Sequence, residues 1–417
     1  MQRTDPLAPT AEFQARVVRG RAMAEQGDFD GAEALFRSLL VEARDRQPGN
    51  HARALASLAT LYGRGGRYLQ AYALAARLAS LARAAGTDAD MTLAFALAKT
   101  CGALTHLHLP EALADALHEL RAVLGRQPEP LPNLELEYQI AAAANARATG
   151  DLGLARAHIE SYRRTLEALQ GPAAVYRWAL TMADCRILVL EGRAEEALAL
   201  VLRLGGDGPA PAFAPLHGLV VEVEIHAALG ARAEARDCGR RALDVLSQVD
   251  RTPFLAADYI HQGDLLARAL EGLGEVEMAH RAYDLMAVAV LLNLKQVNEC
   301  IRELPELGLS DGESHASLGR FRRQFLRDQR ELLARVARLI SQRPDYHLHD
   351  LLAQPDREGL VPVCAWCESV RTSDGAWLPI GHFVPRDGSC EITHGICTAC
   401  VTGIAAWRAI PVASQRA

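Results

Sequence analysis

Two Cys-x-x-Cys pairs stand near the end of the 417-residue sequence, Cys364-Ala-Trp-Cys367 and Cys397-Thr-Ala-Cys400, with Glu368 to Ile396 between them. Each tight turn presents two thiolates, and two such turns close a tetrahedral shell around zinc. The separation is longer than the usual spacing of about 15 to 20 residues between paired knuckles. Four sulfurs leave no open position for water, so the expectation is one structural zinc per chain on Cys364, Cys367, Cys397 and Cys400 rather than a catalytic metal. Two other readings use the same stretch. In one, His394 or Cys390 replaces a sulfur; in the other, the cysteines form a redox dithiol switch. A haem attachment site needs His directly after the second Cys, and Glu368 and Val401 exclude it.

Short strands and turns must position these cysteines. Ser373-Asp374-Gly375 and Arg386-Asp387-Gly388 read as turns, with a strand from Trp377 to Val384. A module of fewer than about 50 residues seldom holds itself together without a staple, so stability alone explains a metal. The stretch also resembles a small domain that ends many bacterial signalling proteins, behind PAS, GAF or receiver domains. The residues that carry the likeness are Pro362-Val363-Cys364-Ala365-Trp366-Cys367, Asp374-Gly375-Ala376-Trp377 and Thr393-His394-Gly395-Ile396-Cys397-Thr398-Ala399-Cys400. This sequence departs from that pattern at Glu368, where a basic residue is common, and in the extra Cys390. The resemblance implies a signalling context and no particular reaction.

The rest of the chain has a different character. Half of its residues are hydrophobic and only 5% aromatic, and its abundance of Ala and Leu favours helix. One pattern recurs, Gly followed five positions later by Ala, starting at Gly27, Gly66, Gly150, Gly192, Gly230 and Gly274. Successive starts lie about one period of ~40 residues apart, except that two periods separate Gly66 from Gly150. A degenerate copy is therefore expected in the long gap, where Cys101 to Leu117 fits. Gly ends one helix in the left-handed conformation, and Ala is a small contact where the next helix crosses its partner. In the first copy Ala32, Leu35, Phe36, Leu39 and Leu40 then follow at helical spacing. A period of this length signals stacked helical hairpins. The series resembles the tetratricopeptide repeat (TPR) family, with Phe29 and Tyr68 where that family places a large residue. Its copies run longer than that family's repeat. The resemblance implies a superhelix that binds a protein or peptide on its concave surface. The scattered Cys101, Cys185, Cys238 and Cys300 read as small core residues.

Residues 303 to 316 break the helical pattern with Pro305, Gly308 and Gly312 and read as a hinge. An arginine-rich amphipathic segment follows from Arg320 to Arg343. It reads as a packing helix, a dimerisation or signalling helix, or a nucleic-acid contact. The net charge of −6 gives no global attraction to nucleic acid or anionic lipid. No apolar run suits a membrane span or a signal peptide, so the expected location is the cytoplasm, where thiols stay reduced. No phosphate loop, dinucleotide fingerprint, nucleophile elbow or HExxH motif is present. The expectation is therefore an all-α TPR-like repeat domain (1–300), a hinge and basic helix (301–345), and a linker with a zinc-ribbon-like module (346–417). That architecture suggests a non-enzymatic, cytoplasmic interaction protein of bacterial signal transduction, with a protein or peptide partner and a homodimer as a further option. The alternatives are a nucleic-acid-binding transcriptional regulator and a redox or metal sensor.

Overall fold

The computed structural model describes residues 6–44, 47–169, 174–204, 214–248, 255–303, 305, 307 and 309, and the strand residues 360–364, 369–371, 377–379 and 391–395. The chain divides into two compact units, Met1–Arg320 and Phe321–Ala417. The described elements of the first unit are all helical. They are α1 (Ala11–Glu25), α2 (Phe29–Ala43), α3 (Pro48–Arg64), α4 (Tyr68–Ala85), α5 (Asp90–His106), α6 (Pro110–Leu124), α7 (Pro132–Ala148), α8 (Leu152–Ala168), α9 (Ala174–Leu190), α10 (Ala194–Leu204), α11 (Ala214–Ala228), α12 (Arg232–Leu246), α13 (Ala256–Gly272) and α14 (Val276–Glu303), with a short 3₁₀ turn at Thr87–Ala89.

The Gly-to-Ala pattern is the hinge of each hairpin. Gly27, Gly66, Gly150, Gly192, Gly230 and Gly274 all adopt left-handed backbone, with φ between 71° and 87°. That conformation lets the next residue's N–H reach back and cap an orphan carbonyl at the end of the preceding helix. Six such bonds form, from Asp28 to Met23, Arg67 to Tyr62, Asp151 to Ala146, Arg193 to Leu188, Ala231 to His226 and Glu275 to Leu270, at 2.8–2.9 Å. Asp28 and Asp151 then cap the following helix through their side chains, accepting from the N–H of Gly31 and Leu154, each at 2.9 Å. The alanine five positions on is at most 2% exposed in every copy: Ala32, Ala71, Ala155, Ala197, Ala235 and Ala279.

The degenerate copy falls where the gap requires it. Its turn residue is His108, midway in sequence between Gly66 and Gly150. His108 has φ of 53°, the one non-glycine in that region among the described residues. The Leu109 N–H donates to the Leu104 carbonyl at 3.2 Å, the same cap as in the other six turns. Leu113 takes the alanine's place and is 3% exposed. A side chain in left-handed backbone costs about 1–2 kcal/mol, so the imidazole stands at the one turn where glycine would be cheaper.

Odd-numbered helices of successive hairpins touch one another from α1 through α13, forming a continuous layer. The even-numbered helices pack against them within each pair. Helix α14 also touches α4. At its end, Glu303 lies 3.7 Å from Arg37 of α2, and the Pro305 carbonyl accepts from Arg44 at 3.4 Å. The core is mainly Ala and Leu, and Cys101, Cys185, Cys238 and Cys300 are buried in it. Burial pushes the Cys101 thiol up to about 12, as suits a core residue rather than a nucleophile. Glu195 and Glu196 are solvent-exposed.

In the second unit, β1 (Leu360–Cys364), β2 (Ser369–Arg371), β3 (Trp377–Pro379) and β4 (Glu391–Gly395) form one sheet in the order β3-β2-β1-β4. The pairs β1–β2 and β2–β3 are antiparallel, and β1–β4 is parallel, with Cys364 opposite Gly395 at the ends of the two strands. The basic segment from Arg320 to Arg343 lies outside the described residues.

Candidate ligand-binding site

The odd-numbered layer carries an unusual set of buried polar groups, most of them on α5, α7, α9, α11 and α13. They surround a cavity of about 530 Å³, within the range of small-molecule sites. Asp258 of α13 is the centre of one end. It has no exposed surface. Its two carboxylate oxygens lie 3.0 and 2.9 Å from Nε2 of His217 on α11. Nδ1 of His106, at the end of α5, and Nε2 of His108, in the strained turn, each stand 3.7 Å from Oδ1. His261, one turn along α13 from Asp258, stacks on His108 with ring centres 3.7 Å apart. Tyr68 stacks on His106 at 4.2 Å, nearly parallel.

Electrostatics follow from this enclosure. Burial alone would raise the Asp258 carboxyl, but His217, with the N–H donors of His106 and His108, holds it well below the usual carboxylate range. Burial drives the histidines the other way: His108 falls to about 4, His217 is lowered, and His261, with His108 against it, falls well below its ordinary value. The rings of His108 and His261 keep some accessible surface, but both line the cavity and are otherwise enclosed by protein. At neutral pH burial therefore favours the neutral imidazoles of His108, His217 and His261 around the Asp258 carboxylate. Burial, with Asp258 nearby, also keeps Tyr68 protonated.

Cationic groups line the cavity as well. Arg186 of α9 is 8% exposed and donates from Nη2 to Oε1 of Gln262 at 2.5 Å. Its Nε lies 3.4 Å from Glu224 of α11. Arg147 of α7 lines the same cavity, and burial, with the Arg186 charge beside it, lowers it to about 10. The remaining wall is apolar and aromatic, including Leu136, Ile140, Tyr162, Tyr176, Trp178 and Met182.

Sequence reasoning missed this site, although a signal was there. Arg147, Arg186, Glu224 and Gln262 follow one another at close to the hairpin period, and so do Trp178, His217 and Asp258. Polar side chains repeating at that period, on helices whose other faces are apolar, mark positions that look onto a shared interior. Of the cysteines expected to hold zinc, Cys364 ends β1, while Cys367, Cys397 and Cys400, with Cys390, lie outside the described residues. Among the described residues no group of three or more His, Cys, Asp and Glu is arranged to hold a metal ion. No described helix is long and apolar enough to cross a membrane. No protein-family model matches the chain, and no curated protein is significantly similar to it. On fold and site, the first unit belongs to the broad class of all-α proteins built from stacked helical hairpins.

Proposed function

We propose that this chain is a non-enzymatic, cytoplasmic regulatory interaction protein. In this reading the first unit is a TPR-like superhelix that recognises its ligand inside the cavity. The second unit is a zinc-stabilised module, held by Cys364, Cys367, Cys397 and Cys400, that contacts a protein partner.

One observation carries the reading: ionisable side chains from α5, α7, α9, α11 and α13 line one cavity. Burying such groups costs stability, and clusters of them collect where a bound group uses them. Binding is favoured over covalent catalysis by the described lining. It contains no serine or cysteine, and its one threonine, Thr105, donates its hydroxyl to the Cys101 carbonyl at 2.8 Å. The parallel β1–β4 pair supports the zinc reading, because it ends on Cys364 and on Gly395, just before Cys397.

The test is native mass spectrometry of the full chain after incubation with the small-molecule fraction of a cell extract. The comparison is with Ala144→Trp, which sets an indole into the cavity wall. The reading expects a discrete added mass on the wild type that the variant lacks. No added mass on the wild type, or the same mass on both proteins, would refute it.

A further inference from the structure

The donors and acceptors around the cavity do not balance. Gln262 has no exposed surface, and its Oε1 is taken by Arg186, but its Nε2 has no partner. Nε of Arg186 and Nε2 of His261 likewise lack a hydrogen-bond partner. Arg147 makes no hydrogen bond or ion pair among the described residues. Two acceptors, Oδ1 of Asn145 on the cavity wall and Oε2 of Glu224, also lack a hydrogen-bond partner, while each nearby acid faces a cation or an imidazole. Glu137 is held by Lys99 at 2.5 Å, Asp258 by the imidazoles, and Glu224 answers the charge of Arg186. One guanidinium and one amide N–H₂ therefore line a mostly apolar cavity with no protein acceptor of their own. A buried donor left unmade is expensive, and a guanidinium presents a planar fork suited to a carboxylate or a phosphate.

We infer that the cavity binds a small molecule carrying one oxyanion group on an apolar body. Arg147 and the Gln262 amide receive the oxyanion, and the wall of Leu136, Ile140, Tyr162, Tyr176, Trp178 and Met182 covers the body. This rests on the cavity being the recognition site. A carboxylate and a phosphate share the required chemistry; the volume of about 530 Å³ suits a body of one or two rings.

The experiment is a thermal-shift and calorimetric comparison on the full chain with benzoate, phenyl phosphate and the neutral benzamide as probes. Wild type is set beside Arg147→Met and Ala144→Trp. Three results are expected. Benzoate or phenyl phosphate raises Tm and benzamide does not, and the preferred acid distinguishes a carboxylate from a phosphate ligand. Arg147→Met weakens that binding about 10–100-fold, the scale of a lost charged hydrogen bond. The same variant, without probe, melts no lower than wild type, because a partly buried charge without a hydrogen-bond partner has been removed. The inference is overturned if benzamide binds as well as the acids, if neither acid shifts Tm, or if Arg147→Met lowers Tm in the absence of probe. In those cases an added mass from cell extract that Ala144→Trp abolishes would leave the cavity standing as a recognition site; its absence would remove both.

Discussion

Acid should loosen the repeat unit through His108, and the size of the effect can be worked out. The residue titrates near 4 in the fold because burial disfavours its cation, although Asp258 pulls the other way. Free in the unfolded chain it titrates near 6.5. Between those values the unfolded chain binds the proton and the fold does not, so stability is lost as pH falls below 6.5 and the loss levels off near 4. For this one group the linkage relation gives a loss of about 2 kcal/mol on going from pH 7 to pH 5, and about 3 kcal/mol when complete. The groups facing it are His106, His217, His261 and Asp258. His217 and His261 are also depressed, and the depressed Asp258 withdraws its own contribution as it protonates at still lower pH, so these three add in the same direction. The control is His108→Asn, because Asn tolerates left-handed backbone and does not titrate. Urea unfolding of the full chain, followed by far-ultraviolet circular dichroism at pH 7 and pH 5, should show the wild type losing about 2 kcal/mol more than the variant. Equal losses in the two proteins, or an imidazole resonance of His108 titrating at the unfolded-chain value, would refute the reasoning.

The repeat and the tail give further expectations. Gly230→Ala meets no atom within 4 Å of the new Cβ, yet φ is 71°, so it should destabilise by about 1–2 kcal/mol through backbone strain alone; an unchanged Tm would contradict the turn geometry. Ala197→Leu overfills the contact with Cys185, Met182 and Val221, where Ala197 has no exposed surface; a cost of about 1–3 kcal/mol by chemical unfolding is expected. Elemental analysis of the purified chain should find about one zinc per molecule, lost in both Cys364→Ser and Cys397→Ser. Metal-free protein whose thiols pair reversibly would instead favour redox sensing.

The legible part of the fold was the part that repeats. A left-handed turn demands glycine, and a helix crossing demands a small residue, so six Gly-to-Ala pairs spelled out six hairpins and left a gap of two periods for a seventh. Local chemistry of that kind is written in single residues at fixed offsets. The cavity is written differently. His106 and Asp258 belong to α5 and α13, helices of hairpins that are not neighbours in the chain. Nothing in either local sequence says that the two face one enclosure. Only the path of the whole array brings them together.

The link between the two kinds of information is His108. The copy that sequence reading passes over as degenerate is the one that supplies the site: at the turn where every other hairpin has glycine, this one carries an imidazole, stacked on His261 and facing Asp258. Strain in backbone persists where the surroundings hold it in place. Here the packed cluster holds a ring that glycine could not supply. In a repeat protein most positions answer to their neighbours in the stack, and a copy that breaks the pattern answers to something else. By that logic the break at His108, with the period-spaced Arg147, Arg186, Glu224 and Gln262, supports the proposal that this interior is a recognition surface.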